Sequence, residues 1–158
     1  MDKMIVGIAE GKVARGDQIL VSYALGSCVG ICLYDRQARI AGMAHIILPG
    51  REFAVSGNNA YKFADEGVRA LAKEMGRQGA VPSRLTAKIA GGARMFGILA
   101  GRMDIGEKNV ETVKRCLALE GIRLIGEDTG RNYGRTITFY AKDGILKIST
   151  VRHADVVL

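Results

Sequence analysis

The sequence predicts an α+β fold built on mixed sheets, and three observations carry that assignment. Most ordered segments are short, apolar and β-prone, and only two stretches, 61–75 and 107–119, show the 3.6-residue spacing of a core helix. Strands and helices do not alternate regularly, as a doubly wound parallel sheet would require. Two consecutive strands are apolar on both faces, which places them between two covering layers.

The elements follow in order. Residues 3–9 and 17–23 read as strands. Residues 29–34 and 39–47 form a hairpin across the polar loop Asp35-Arg36-Gln37-Ala38. A polar loop from Gly50 to Gly57 leads to a helix that Asn58 or Asn59 can cap, with Tyr61, Ala64, Val68, Leu71, Ala72 and Met75 on one side and Gly76 and Gly79 closing it. A strand over 84–90 ends at Gly91-Gly92, and the second helix carries Val110, Val113 and Leu117. A strand near 122–127 follows, and then Thr136–Ala141 and Ile145–Val151 pair through the turn signal Asp143-Gly144. Six to eight strands and two main helices suit one domain over 1–158, large enough to need neither a metal nor a disulfide for stability.

Composition narrows the function classes. Hydrophobic residues are 48% and charged residues 25%, and no apolar run approaches the ~18 residues of a membrane span. Met1-Asp2-Lys3-Met4 leads straight into strand-like sequence without the apolar core of a signal peptide, so a cytoplasmic, thiol-reducing location is expected. Three cysteines, an odd number, then argue for free thiols. The net charge of +7 favours acidic partners, but the basic residues are scattered and unaccompanied by stacking aromatics, which speaks against nucleic acid.

The chemistry concentrates on Cys28 and His45. If Tyr34 pairs with Arg39, the same register sets Cys28 opposite His45, with Cβ atoms about 4.5 to 5.5 Å apart. A free thiol is only about 3% thiolate at pH 7, and a neighbouring imidazole that takes its proton leaves a nucleophile. Preferential alkylation of Cys28 at neutral pH would report such a lowered thiol pKa. The competing reading is a packed cysteine beside a hydrogen-bonded strand histidine. Ser22 stands where the chain doubles back toward the thiol and can fix the ring's tautomer. Amides around Gly26 and Ser27 can face a developing oxyanion. Gly91-Gly92 either admits a substrate backbone or makes a packing turn. Cys32 lies four residues beyond Cys28, about 13 Å along a strand, too far to share a zinc ion, so no metal or cofactor is expected. Cys32 and Cys116 read as buried packing groups, Asn109, Asp128 and Arg135 as capping or pairing groups, and His153 as exposed.

Five segments, Leu25-Gly26-Ser27-Cys28, Met43-Ala44-His45, Lys88–Ala93, Ile105–Asn109 and Glu127–Gly130, give the chain a resemblance to the CheD-type chemoreceptor glutamine deamidases from about Met4 to about Val151. The Cys and His segments are the specific part. Carried over by position, the family's nucleophile falls on Cys28, its histidine on His45 and its hydroxyl residue on Ser22, where threonine is usual. Arg131 stands where the family usually has a second glycine after Asp128-Thr129-Gly130. The resemblance implies an α/β/β/α sandwich similar to that of toxin-type cysteine deamidases. It also implies a protein-glutamine glutaminase that converts glutamine on chemoreceptor helices to glutamate through a thioester and binds a CheC-type phosphatase. The alternatives are a non-enzymatic regulator that binds that phosphatase or the receptor, and a cysteine protease that cuts the main chain.

Overall fold

The computed structural model describes residues 2–54, 58–95 and 104–158. Residues 55–57 of the expected Gly50–Gly57 loop lie outside the described residues. Ten strands are assigned: β1 Lys3–Ile5, β2 Gly11–Arg15, β3 Ile19–Leu25, β4 Val29–Asp35, β5 Ile40–Ile46, β6 Thr86–Gly91, β7 Arg123–Thr129, β8 Arg135–Tyr140, β9 Leu146–Ser149 and β10 Val156–Val157. The helices are α1, Ala64–Arg77, and α2, Ile105–Leu119.

The strands form two five-stranded sheets, ordered β1-β3-β8-β9-β10 and β2-β5-β4-β6-β7. Each contains one parallel pair, β1 with β3 and β6 with β7, among antiparallel neighbours. The fold is therefore α+β with mixed sheets. The second parallel pair is a β-α-β unit, because β6 and β7 are joined by α2.

Side-chain alternation along β4 and β5 builds two cores. Val29, Ile31 and Leu33 on β4, with Ala44 and Ile46 on β5, face Val68 and Leu71 of α1 and Val113 and Leu117 of α2. The opposite face, with Cys32, Tyr34, Ala41 and Met43, meets Ile137, Phe139 and Ile148 of the first sheet. Every residue of β4 and β5 is buried, as strands covered on both faces must be. Layers run helices, β4-containing sheet, β3-containing sheet; among the described residues no α-helix covers the outer face of the last.

Three elements differ from the sequence reading. β2 falls between the two strands expected at the N-terminus, where Gly11, Lys12 and Arg15 dilute the apolar signal of Val13 and Ala14; pairing with β5 supplies the order. Asn59 caps a single 3-10 turn over Ala60–Lys62, accepting from the Tyr61 amide, and α1 begins only at Ala64. The third difference is register. The hairpin forms as expected, but Gly30 stands opposite His45, so the expected Cys28–His45 pair is offset by two residues.

Asp35 is the cause of that offset. Its fully buried carboxylate accepts from the Gln37 and Ala38 amides, from the Val81 amide and from the Arg84 guanidinium. It therefore ends β4 instead of opening the loop, and the four-residue turn becomes Arg36–Arg39, with Arg39 at φ 53°. Burial alone would raise the Asp35 carboxyl, but Arg84 and the amides reverse this and hold it below the ordinary carboxylate value.

Arg84→Ala should destabilise the protein by about 2 to 3 kcal/mol in urea denaturation. That is below the roughly 3 to 5 kcal/mol for breaking a fully buried pair, because the Arg84 side chain is 34% exposed and the carboxylate keeps its amide donors.

Candidate active site

Cys28 lies in the bend that enters β4, partly packed into the inter-sheet core. Three consecutive carbonyls of this bend are tied from behind. Gly26 O accepts from the Ala93 amide at 2.9 Å, Ser27 O from Asn109 Nδ2 at 2.9 Å, and Cys28 O from the Gly92 amide at 2.8 Å. A trans peptide directs its N–H opposite its C=O, so the Ser27, Cys28 and Val29 amides point away from this anchorage. Gly91, at φ 110°, lies so close that a Cβ there would be 2.2 Å from Cys28 O, and only glycine fits. Gly91 and Gly92 thus back the thiol-bearing bend.

His45 is 3% exposed and projects from β5 into the inter-sheet core. A register offset of two preserves the face, because side chains alternate with a period of two. Cys28 stands one residue before the β4–β5 ladder and packs partly into the same inter-sheet core that His45 enters, with no hydrogen bond between thiol and ring. Gly30, opposite His45 in the ladder, leaves room for Ile137: a Cβ there would meet Ile137 Cδ1 at 2.4 Å and push that side chain aside.

The third residue arrives from the other sheet. Ser22, fully buried on β3, has Oγ 2.8 Å from His45 Nδ1 and 2.8 Å from Val6 O. A carbonyl can only accept, so the hydroxyl proton goes to Val6 O and Ser22 Oγ receives the proton of Nδ1–H. That fixes the tautomer. Nε2, buried and without a hydrogen-bond partner, carries the free lone pair. β3 bulges directly after Ser22, with Ala24 at φ 55°, before resuming pairing at Leu25 with Arg135.

Burial sets the protonation states. Desolvation pushes the Cys28 thiol above its ordinary value, only partly opposed by its own backbone amide. Desolvation pushes His45 below 6.5, partly opposed by the Val6 carbonyl. The expected lowered thiol pKa is thus reversed, and the resting pair is neutral thiol and neutral imidazole. Cys32 is fully buried and raised well beyond the physiological range, and Cys116 is also buried and raised, which fits packing roles.

Sequence reasoning missed the part played by Asn109. Fully buried on α2, its Nδ2 donates both to Ser27 O and, at 3.1 Å, to Ile47 O, joining the bend before Cys28 to the chain two residues after His45. An apolar-facing position of α2 occupied by Asn was the available signal. Asp128 and Arg135 pair with each other at 3.1 Å as expected, and Arg135 also donates to Gly130 O. Arg131 sits at φ 64°, which explains why glycine suits that position. His153 is exposed, stacked on Tyr133. Among the described residues, no cluster of three or more His, Cys, Asp or Glu side chains is arranged to hold a metal ion, and no helix is long and apolar enough to cross a membrane.

Residues 47–150 match the family model described as CheD chemotactic sensory transduction. The chain is 49% identical over 150 residues to a probable chemoreceptor glutamine deamidase CheD of Caldanaerobacter subterraneus, covering 94% of this chain and 93% of that one. It is 45% identical over 159 residues to the protein of the same name from Syntrophomonas wolfei, covering 98% of each, and 43% identical over 159 residues to that from Pyrococcus horikoshii, covering 99% and 98%. Among solved structures, a Neisseria meningitidis protein of the DUF152 family shares the fold at a TM-score of 0.50 and 11% identity, over 83% of this chain and 64% of that one.

Two measurements check the protonation states. Alkylation by iodoacetamide should favour Cys28 over the buried Cys32 and Cys116, with a rate still rising above pH 9. Folding stability should fall as pH drops through about 6.5, since the unfolded chain binds a proton that buried His45 resists; His45→Gln should flatten that loss.

Proposed function

The chain belongs to the CheD family, and from that membership and the Ser22–His45 geometry we propose that it hydrolyses glutamine side chains of chemoreceptors to glutamate, with Cys28 as nucleophile. The observation that carries this reading is the bare Nε2 of His45, whose tautomer is set by the 2.8 Å contact with Ser22 and whose ring shares a face with the thiol.

As Cys28 Sγ attacks the side-chain amide carbon, its proton passes to His45 Nε2. The carbonyl becomes an oxyanion, which the Ser27 and Cys28 amides face. Collapse of this tetrahedral adduct breaks the C–N bond while the imidazolium returns its proton to nitrogen, releasing ammonia and leaving a thioester. His45 then takes a proton from water as the oxygen attacks. The second adduct expels Cys28 sulfur, which recovers the proton, and glutamate is released.

Burial makes this a general-base mechanism. A neutral thiol with a raised pKa loses its proton in the step of attack, not beforehand, and the low pKa of His45 keeps the ring ready as a base down to mildly acidic pH. Ser22 supports the imidazolium by accepting Nδ1–H throughout. Gly91 serves by letting β6 approach the bend, Gly92 by letting α2 approach behind it and by donating its amide to Cys28 O, Gly26 by accepting from the Ala93 amide, and Asn109 holds that bend relative to the base. In this reading the partners are a glutamine-bearing receptor helix and a CheC-type phosphatase, both docking where Cys28 meets the surface. The chain's +7 charge favours acidic surfaces on either.

Ammonia release from a glutamine-bearing receptor fragment tests the proposal. Cys28→Ala should abolish release, and His45→Ala should lower it by about 10² to 10⁴-fold. Ser22→Ala should lose about tenfold to a hundredfold while Ser22→Thr, which restores the hydroxyl, recovers most of it. Mass spectrometry should show the fragment intact and about one dalton heavier; unchanged release by Cys28→Ala would sink the covalent route.

A further inference from the structure

A second concavity lies at the far end of β4, roughly 20 Å from Cys28 at about 3.3 Å per strand residue. Its volume is about 540 Å³, and it opens between the two sheets. Its floor is the buried rings of Tyr34 on β4 and Phe139 on β8, and Ile125 on β7 is its exposed apolar side chain. The polar side is strongly one-signed. Six cations, Arg36, Arg39, Arg84, Lys88, Arg123 and Lys142, share it with one carboxylate, Asp143.

Most of that charge is uncompensated. Arg84 is engaged by Asp35, and Lys88 donates to the Gly144 carbonyl at 2.7 Å, which does not neutralise it. Arg36, Arg39, Arg123 and Lys142 are exposed and form no ion pair among the described residues. They converge from three separate segments: the β4–β5 turn, β7 and the β8–β9 turn. Like charges gathered in one concavity repel, and in a low-dielectric cleft the repulsion exceeds that on open surface. A multiply charged anion relieves it.

We propose that this cleft binds a small phosphorylated anion carrying two or more phosphoryl groups. Guanidinium forks and ammonium groups approaching from different sides suit phosphoryl oxygens, each of which accepts several donors, whereas a single carboxylate balances one charge. The volume lies within the range of small-molecule sites, about 300 to 1,000 Å³. The phosphoryl chemistry is shared by nucleoside polyphosphates and inorganic polyphosphate.

Calorimetric titration of the full chain at low salt with pyrophosphate, ATP, adenosine and a poly-aspartate peptide tests this. Pyrophosphate and ATP should bind and adenosine should not. ATP tighter than pyrophosphate identifies a nucleotide site, and equal affinities a phosphate site. Arg36→Glu and, separately, Lys142→Glu should each weaken pyrophosphate about tenfold, as should the milder Arg123→Gln to a smaller extent. The control reversal Lys73→Glu with Arg115→Glu, on the helices, should not. Thermal melting confirms that these surface variants fold. Absence of pyrophosphate and ATP binding, equal weakening by the control, or tighter binding of the peptide than of pyrophosphate would overturn the proposal.

Discussion

One buried hydrogen bond, from His45 Nδ1 to Ser22 Oγ, connects the two sheets at the point where the chemistry is proposed. An imidazole enclosed without a partner costs roughly 1 to 3 kcal/mol, so the ring requires that hydroxyl, and the hydroxyl in turn requires the Val6 carbonyl. Each link fixes the next. The carbonyl orients the serine, the serine selects the tautomer, and the tautomer leaves Nε2 as an acceptor. The bulge after Ser22 and the glycine opposite His45 are the backbone adjustments that let two sheets come this close.

Enclosure acts on the thiol and the ring in opposite directions. It raises one and lowers the other, so both rest uncharged. A pre-formed thiolate–imidazolium pair would need nearby counter-charge to offset desolvation of two ions. The neutral pair needs none. Enclosure raises Cys32 and Cys116 as well, and Cys28 is the most exposed of the three thiols.

Much of this was legible in the sequence. The hairpin signal identified the strand carrying His45, its doubly apolar character anticipated the two covering layers, and the Gly26-Ser27 approach marked the bend before Cys28. What failed had physical reasons. Asp35 looked like a loop residue because aspartate usually is one; its real place, at the end of β4, depends on Arg84 and Val81, 46 to 49 residues away. β2 owes its order to pairing with β5, and no local pattern announces that. Asn109 read as a capping or pairing group, since a sequence cannot say that two distant carbonyls converge on one amide.

The residues that converge here are spread over most of the chain: Ser22, Cys28, His45, Gly91 and Asn109, with β8 beside Ser22 closing the set at residues 135–140. During synthesis, therefore, Cys28 is made early and its surroundings are completed late. A ribosome must pass α2 before the bend is clamped and β8 before the Ser22 strand is paired, so truncated or nascent chains carry an ordinary, unsupported cysteine. Long-range closure of this kind slows folding. A fragment that keeps Cys28 but ends before α2 has likewise lost the Asn109 side chain that holds the bend.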